Sequence, residues 1–262
     1  MVRTITAIIL AAGSGKRLNS AIPKQYLKLG SRTVLDFSID TFSSHKQIDK
    51  IIVVVNKLHH ELYNKHLDDK RLEKIIMGGE TRQESVYNSI RNRPHTNDDI
   101  ILIHDAARPF VTNKIISEVI AKLQRSAAVI PIIKIRDTIR GINDNKVTRF
   151  SRDSLFRVQT PQSFYLEELK NLYKNNPDQI VTDEACFYEG KDNKIVVIPG
   201  TEQNFKITTN YDYEMAKMII NTKKIIRTGI GYDVHAFDKT KETESILIGA
   251  TRIPYQYPIK AH

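Results

Sequence analysis

Three cations stand just behind a bare turn near the start of the chain. Residues 7–27 read AIILAAGSGKRLNSAIPKQYL. An apolar run stops at Ala11-Ala12-Gly13-Ser14-Gly15; Lys16 and Arg17 follow and, after Pro23, Lys24. A turn of small residues lets a phosphate approach the backbone, and successive amide N–H groups in it form an anion-binding nest. Arg offers phosphate oxygens a planar fork and Lys a compact point charge. The chemistry this pattern suits is the holding of a polyphosphate. G-x-G alone is a weak signal that an ordinary turn also carries. The G-x-x-x-x-G-K-[ST] spacing of a Walker loop is absent. Leu18 stands where a dinucleotide-binding turn has its third glycine.

Two further places have ligand-type residues. Asp105 closes the apolar run 100–104 and is the nearest carboxylate candidate for a Mg²⁺, an ion usually held through substrate phosphates and water. Strand ends of this kind are where open α/β sheets bind ligands. His104 beside it reads as a packed strand-end histidine. Far down the chain, Asp233 and His235 lie two apart, on one face of a strand, a fair but incomplete start for a metal site. The single cysteine, Cys186, excludes an internal disulfide and reads as a structural thiol in a reducing compartment.

The elements that must position these residues follow from the hydrophobic pattern. Continuous apolar, β-branched runs at 5–10, 50–56, 74–77, 100–104, 127–133 and 194–198 predict strands covered on both faces. Helical periodicity at 33–42, 81–90, 113–123 and 211–220 separates them, with Thr81 as an N-cap. Strand–helix alternation predicts an α/β fold with a mostly parallel sheet. Residues 134–150, KIRDTIRGINDNKVTRF, break the rhythm and read as a projecting β-hairpin turning through 141–145. A basic join near residue 225 separates a domain over 1–225 from a short, incomplete one over 226–262.

The net charge of +10 favours anionic partners. The cations are scattered, aromatic side chains are few, and no nucleic-acid-binding motif is present, so nucleic acid is the weakest of the readings weighed. No apolar run reaches the ~18 residues of a membrane span, and no signal peptide precedes the first strand. A soluble, cytoplasmic protein with no membrane or nucleic-acid partner is expected.

The longer pattern A-A-G-x-G-x-R followed by P-K-Q-Y resembles the signature of nucleotidyltransferases. GGETRQESV at 78–86, HDAARP at 104–109, RVQTPQSF at 157–164, TDEA at 182–185 and NFKITT at 204–209 narrow the resemblance to the 2-C-methyl-D-erythritol 4-phosphate cytidylyltransferase family, over about residues 4–222. The resemblance implies a Rossmann-like nucleotidyltransferase fold. It implies transfer of CMP from CTP to methylerythritol phosphate, with release of pyrophosphate, in non-mevalonate isoprenoid synthesis, with Mg²⁺. The acceptor phosphate, with a second pKa of about 6, is mostly dianionic at pH 7, so no general base is required. Positioning and charge neutralisation remain as the work.

By the same resemblance the catalytic cations fall on Arg17, Lys24 and Lys206. Ala11, Ala12, Gly13, Ser14, Gly15 and Asp105 belong to the nucleotide site. The base lies under Gly78, Gly79, Glu80, Arg82 and Ser85, with Glu80 where many relatives carry Asp. Arg108 shapes the site or meets phosphate. Asp137, Thr138 and Arg152, on the hairpin arm and its exit, serve the acceptor of a neighbouring subunit in a homodimer. TDEA reads as a helix start of structural role, with Asp183 a candidate tuner of Lys206. A relative acting on ribitol 5-phosphate shares much of this signature and is the alternative.

The tail, RTGIGYDVHAF at 227–237 and ILIGATRIPYQYPIKAH to the end, resembles the first part of 2-C-methyl-D-erythritol 2,4-cyclodiphosphate synthases. That resemblance implies a Zn²⁺ or other divalent site with ligands Asp233 and His235, and a substrate-facing His262. The third ligand would lie beyond residue 262. Thirty-six residues cannot bury a core of their own, so no cyclase activity is expected. Fusion of one pathway's enzymes favours the erythritol acceptor over ribitol.

Overall fold

The continuous apolar runs become neighbouring strands of one sheet. The computed structural model describes residues 3–15, 22–66, 69–123, 127–143, 146–190, 194–221, 235–248 and 251–260. In chain order the first unit has β1 (Ile5–Ala11), β2 (Lys28–Leu29), β3 (Arg32–Thr33), α1 (Val34–Ser44), β4 (Lys50–Val55), α2 (His60–Tyr63) and β5 (Lys74–Met77). Then follow α3 (Arg82–Ile90), β6 (Ile100–Asp105), α4 (Asn113–Ala121), β7 (Ala128–Lys134), β8 (Arg140–Asn143) and β9 (Lys146–Arg149). It closes with β10 (Phe156–Val158), β11 (Gln162–Tyr165), α5 (Leu166–Asn175), β12 (Ile195–Pro199) and α6 (Asn210–Asn221).

The sheet runs β12–β7–β11–β6–β1–β4–β5, with β10 on the same edge of β7 as β11. β4, β5 and β6 continue parallel to β1, while β11 enters antiparallel between β6 and β7. The chain leaves β1 toward β4 and β5, then returns to β1's other side as β6. This reversal makes β1 the topological switch point, where such sheets bind ligands beyond the strands' carboxyl ends. Leu10 pairs with both Val54 and Asp105, so the ends of β1, β4 and β6 lie level.

Alternate residues of each strand serve opposite cores, as the period of two requires. Ala7, Ile9, Val53 and Leu102 pack with Leu35, Ile39 and Phe42 of α1 and Ile116 and Val119 of α4. Ile8, Ile52, Ile101 and Ile103 pack with Val86 and Ile90 of α3 and Leu166 and Leu169 of α5. Each fully buried Ile of this kind contributes about 2 kcal/mol. Thr33 and Thr81 open α1 and α3 with complete capping boxes, Asp36 and Glu84 answering from the third helical position.

The segment 134–150 forms the expected hairpin, β8 against β9, as a separate two-stranded sheet. Gly141, Ile142 and Asn143 stay in β8, paired with Thr148, Val147 and Lys146. A Cβ on Gly141 would lie 2.7 Å from the exposed Phe150 ring.

The chain divides into two compact units, residues 1–223 and 224–262. The second unit has β13 (Ser245–Ile248) antiparallel to β14 (Thr251–Pro254), and a bridge between Phe237 and Ile259. The Phe237 and Tyr255 rings lie 4.4 Å apart. Leu247 and Ile248 are exposed, while Ile246 between them and the strand start is buried.

Candidate active site

The turn after β1 is pinned from two sides. The Gln25 side-chain amide donates to the carbonyls of Ala11 (2.7 Å) and Gly13 (2.9 Å), and that of Asn56 donates to Ala12 (3.4 Å). Gly15 takes φ +67°, a left-handed conformation suited to glycine, and packs against the Lys24 backbone. Lys24 opens a short 3-10 turn, Lys24–Tyr26, directly after buried Pro23. A cavity of about 410 Å³ lies over this turn. Ala12, Gly13, Ser14, Gly15 and Lys24 line it with Gly79, Glu80, Arg82, Ser85, Asp105 and Lys206. Lys24 and Lys206, 182 positions apart in sequence, thus share one hollow.

Ala11 does not line it. Its side chain points into the core beside α1, because the strand's alternation places it on that face. Arg17 lies outside the described residues, as do Asp233 and His262. His235 is described and exposed.

Asp105 gathers the positive charge. Its carboxylate is 2.8 Å from Lys206 Nζ, 3.7 Å from Arg82 Nε and 3.8 Å from Arg108 Nε. Burial alone would raise this carboxyl, but Lys206, Arg82 and Arg108 together hold it well below the usual carboxylate range. The sequence suggests Asp105 as an ion ligand and Lys206 as a separate cation; the structure pairs them. Asp183, the expected tuner of Lys206, instead accepts from Gln162 (2.9 Å) and contacts Cys186 Sγ (3.6 Å). The 3-10 turn that starts after Asp183 turns its carboxylate toward β11.

Arg108 acts as a brace. Its Nη1 donates to the Asn204 carbonyl (2.8 Å) and Nη2 to that of Val158 (3.3 Å), and it is not among the lining residues. The shaping role of the two suggested by sequence is the one its contacts support, since two of its nitrogens are committed to backbone. His104 is fully buried. Its Nε2–H donates to the Arg108 carbonyl (3.2 Å), and Nδ1 accepts from the Thr160 hydroxyl (3.1 Å), which itself accepts from the Asp105 amide (3.0 Å). Burial pushes its pKa down to about 4, keeping it neutral.

The 78–86 loop closes the other wall. A Cβ on Gly79 would lie 2.4 Å from that of Glu84, so only glycine fits over the α3 cap. Ser85 lines the cavity, but its hydroxyl donates to Thr81's carbonyl (2.9 Å) and accepts from the Gly79 amide (3.1 Å). It fastens the loop. Arg82 reaches from the loop to Glu184, with Nη1 3.0 and 2.9 Å from the two carboxylate oxygens.

Asp137, Thr138 and Arg152 are exposed and line no part of the cavity within this chain. Arg152 shares a hollow at the base of the hairpin with Lys134, Arg136 and Asp153. Among the described residues no group of three or more His, Cys, Asp or Glu is placed to hold a metal ion, and no helix is long and apolar enough to cross a membrane.

The family model described as 2-C-methyl-D-erythritol 4-phosphate cytidylyltransferase matches residues 5–222. The chain belongs to this cytidylyltransferase family. A bifunctional enzyme IspD/IspF of Wolbachia pipientis wMel is 35% identical over 266 residues, 98% of this chain and 66% of that protein. The chain spans a similar share, 63%, of a bifunctional relative from Pelagibacter ubique. A 2-C-methyl-D-erythritol 4-phosphate cytidylyltransferase of Clostridioides difficile is 34% identical, covering 84% of this chain and 94% of that one. The crystal structure of the Francisella tularensis enzyme of that name is 34% identical, with TM-score 0.68, over 82% of this chain and 99% of its own. The bifunctional IspDF structure from Campylobacter jejuni, 24% identical, shares the fold over 99% of this chain and 65% of its own, with TM-score 0.67.

Gln25, Asn56 and Glu184 also fasten this cavity's walls, and the sequence pattern does not single them out. Gln25 stood inside the quoted P-K-Q-Y motif and Glu184 inside T-D-E-A. Their places inside those motifs are the signal for them. Asn56 had none beyond its place at a strand end.

Proposed function

We propose that this chain transfers the cytidylyl group of CTP to 2-C-methyl-D-erythritol 4-phosphate. An oxygen of the acceptor phosphate attacks the α-phosphorus of CTP. The bond from that phosphorus to the β-bridging oxygen breaks, and pyrophosphate leaves with the electron pair. The nucleophile is already ionised, so the protein's task is to hold two anions together. One observation carries the reading: Lys24 and Lys206 line a single cavity with the small-residue turn, at the level ends of β1 and β6. Lys206, steadied by Asp105, is set for charge that develops at the α-phosphate. Lys24, stiffened by Pro23, and Arg17 serve the triphosphate. Gly79, Glu80 and Arg82 meet the nucleotide, with Ser85 fixing their loop.

Asp105 is already paired with Lys206, so Mg²⁺ would be held mainly by triphosphate oxygens and water, with Asp105 the nearest carboxylate. Mg²⁺ there would supply charge neutralisation on the triphosphate. Chelation by EDTA should therefore abolish turnover, and added Mg²⁺ should restore it.

The acceptor is completed across a homodimer in the cytoplasm. The arm supports this: Ile142, Val147 and Phe150 are exposed on it, and Asp137, Thr138 and Arg152 lie apart from their own chain's cavity. Incubation with CTP, Mg²⁺ and either methylerythritol phosphate or ribitol 5-phosphate tests the whole reading. Pyrophosphate release with the first acceptor is expected. Release with ribitol 5-phosphate alone would replace it, and release with neither would refute it.

A further inference from the structure

The first turn of α3 is tied to the segment 179–184 at three points. The Gln83 amide donates to the Gln179 carbonyl (2.8 Å), the Val181 amide donates to Gln83 Oε1 (3.1 Å), and Arg82 meets Glu184. Glu184 itself is wholly buried, and Tyr173 of α5 donates its phenol proton to Oε1 (3.0 Å). From there, charges alternate inward. Glu184 holds Arg82 by hydrogen bonds, Arg82 stands 3.7 Å from Asp105, and Asp105 bonds Lys206 at 2.8 Å.

A guanidinium does not lose its proton in a protein, and that of Arg82, part-buried at the cavity wall, keeps a carboxylate against it. Arg82 Nη2 is buried with no hydrogen-bond partner among the described residues. Without Glu184's charge, the carboxylate nearest to hand is Asp105. Arg82 would close that 3.7 Å gap and compete with Lys206 for the same group. We infer that Glu184 is a positioning residue: it holds Arg82 off Asp105 and so leaves Asp105 to fix Lys206 at the nucleotide cavity. This rests on the nucleotide reading of that cavity.

The test measures CTP affinity by calorimetry, and the KM of each substrate, in wild type, Glu184→Gln and Tyr173→Phe. Glu184→Gln should weaken CTP binding about tenfold, and Tyr173→Phe, which removes one hydrogen bond to the carboxylate, about threefold. The acceptor KM should stay unchanged in both. A merely structural role would lower the active fraction and leave CTP affinity alone. Glu184→Gln combined with Arg82→Gln should bind CTP no worse than Arg82→Gln alone. If Glu184→Gln does not fold, Tyr173→Phe decides. Wild-type CTP affinity in the folded variants, or additive losses in the double variant, would overturn the inference while wild-type turnover left the proposed reaction standing. A wild type that neither bound CTP nor released pyrophosphate would remove both.

Discussion

Individual side chains divide into those facing the cavity and those holding them there. Gly13 belongs to the first group: a Cβ on it meets nothing within 4 Å on the protein side. Gly13→Ala should keep its folding stability and lose CTP affinity about tenfold, because the methyl occupies space meant for ligand. Calorimetry showing unchanged affinity would remove the turn from the site. His104 belongs to the second group. Its pKa is about 4 when folded, against about 6.5 in an unfolded chain. The unfolded state therefore binds the extra proton first, and the stability of the neutral imidazole, complete above pH 6.5, is lost as pH falls toward 4. That amounts to roughly 2–3 kcal/mol between pH 7 and 4.5. Urea unfolding of wild type and His104→Gln at both pH values should show the larger loss in wild type; parallel losses would contradict it. Residue types and order identified the cavity-facing glycines and lysines. The pairing of Lys206 with Asp105 was not legible, because it depends on where two distant strand and loop ends meet.

Among the elements, the strands and helices with unbroken apolar periodicity were readable along the chain. β11 was not. Gln162 and Ser163 are polar yet buried, donating to Asp183 and to the Val119 carbonyl, so no apolar run announces the strand. Its antiparallel entry between β6 and β7 is a tertiary choice. α5 follows with no side-chain cap, although Leu166, Leu169 and Tyr173 keep the helical spacing that would have found it. The α3 cap was legible as Thr81. Thr81→Ala should cost about 1 kcal/mol and loosen the 78–86 loop; an unchanged melting curve would argue against the capping box. The hairpin's own chemistry rests on Arg152. Arg152→Ala should raise the KM for methylerythritol phosphate about tenfold and leave that for CTP alone. An untouched acceptor KM would take the arm out of the acceptor site.

At the scale of the molecule, residues 1–223 hold the sheet, both flanking cores and the cavity. A chain ending at residue 223 should keep CTP-dependent turnover within about twofold, since nothing proposed for catalysis lies beyond it. Loss of that activity would assign the second unit a part in it. The net charge of +10 marked an anionic ligand without choosing one. More telling is that four of the six motif stretches meet at one hollow, through Ala12 with Lys24 and Gln25, Gly79 with Ser85, Asp105 with Ala107, and Lys206. The account therefore turns on Lys206, which sits far from the opening turn in sequence and beside it in space. Pyrophosphate release from CTP and methylerythritol phosphate, compared between wild type and Lys206→Ala, tests it most directly. A fall of about 10²-fold or more in kcat is predicted; turnover at the wild-type rate in Lys206→Ala would contradict the account.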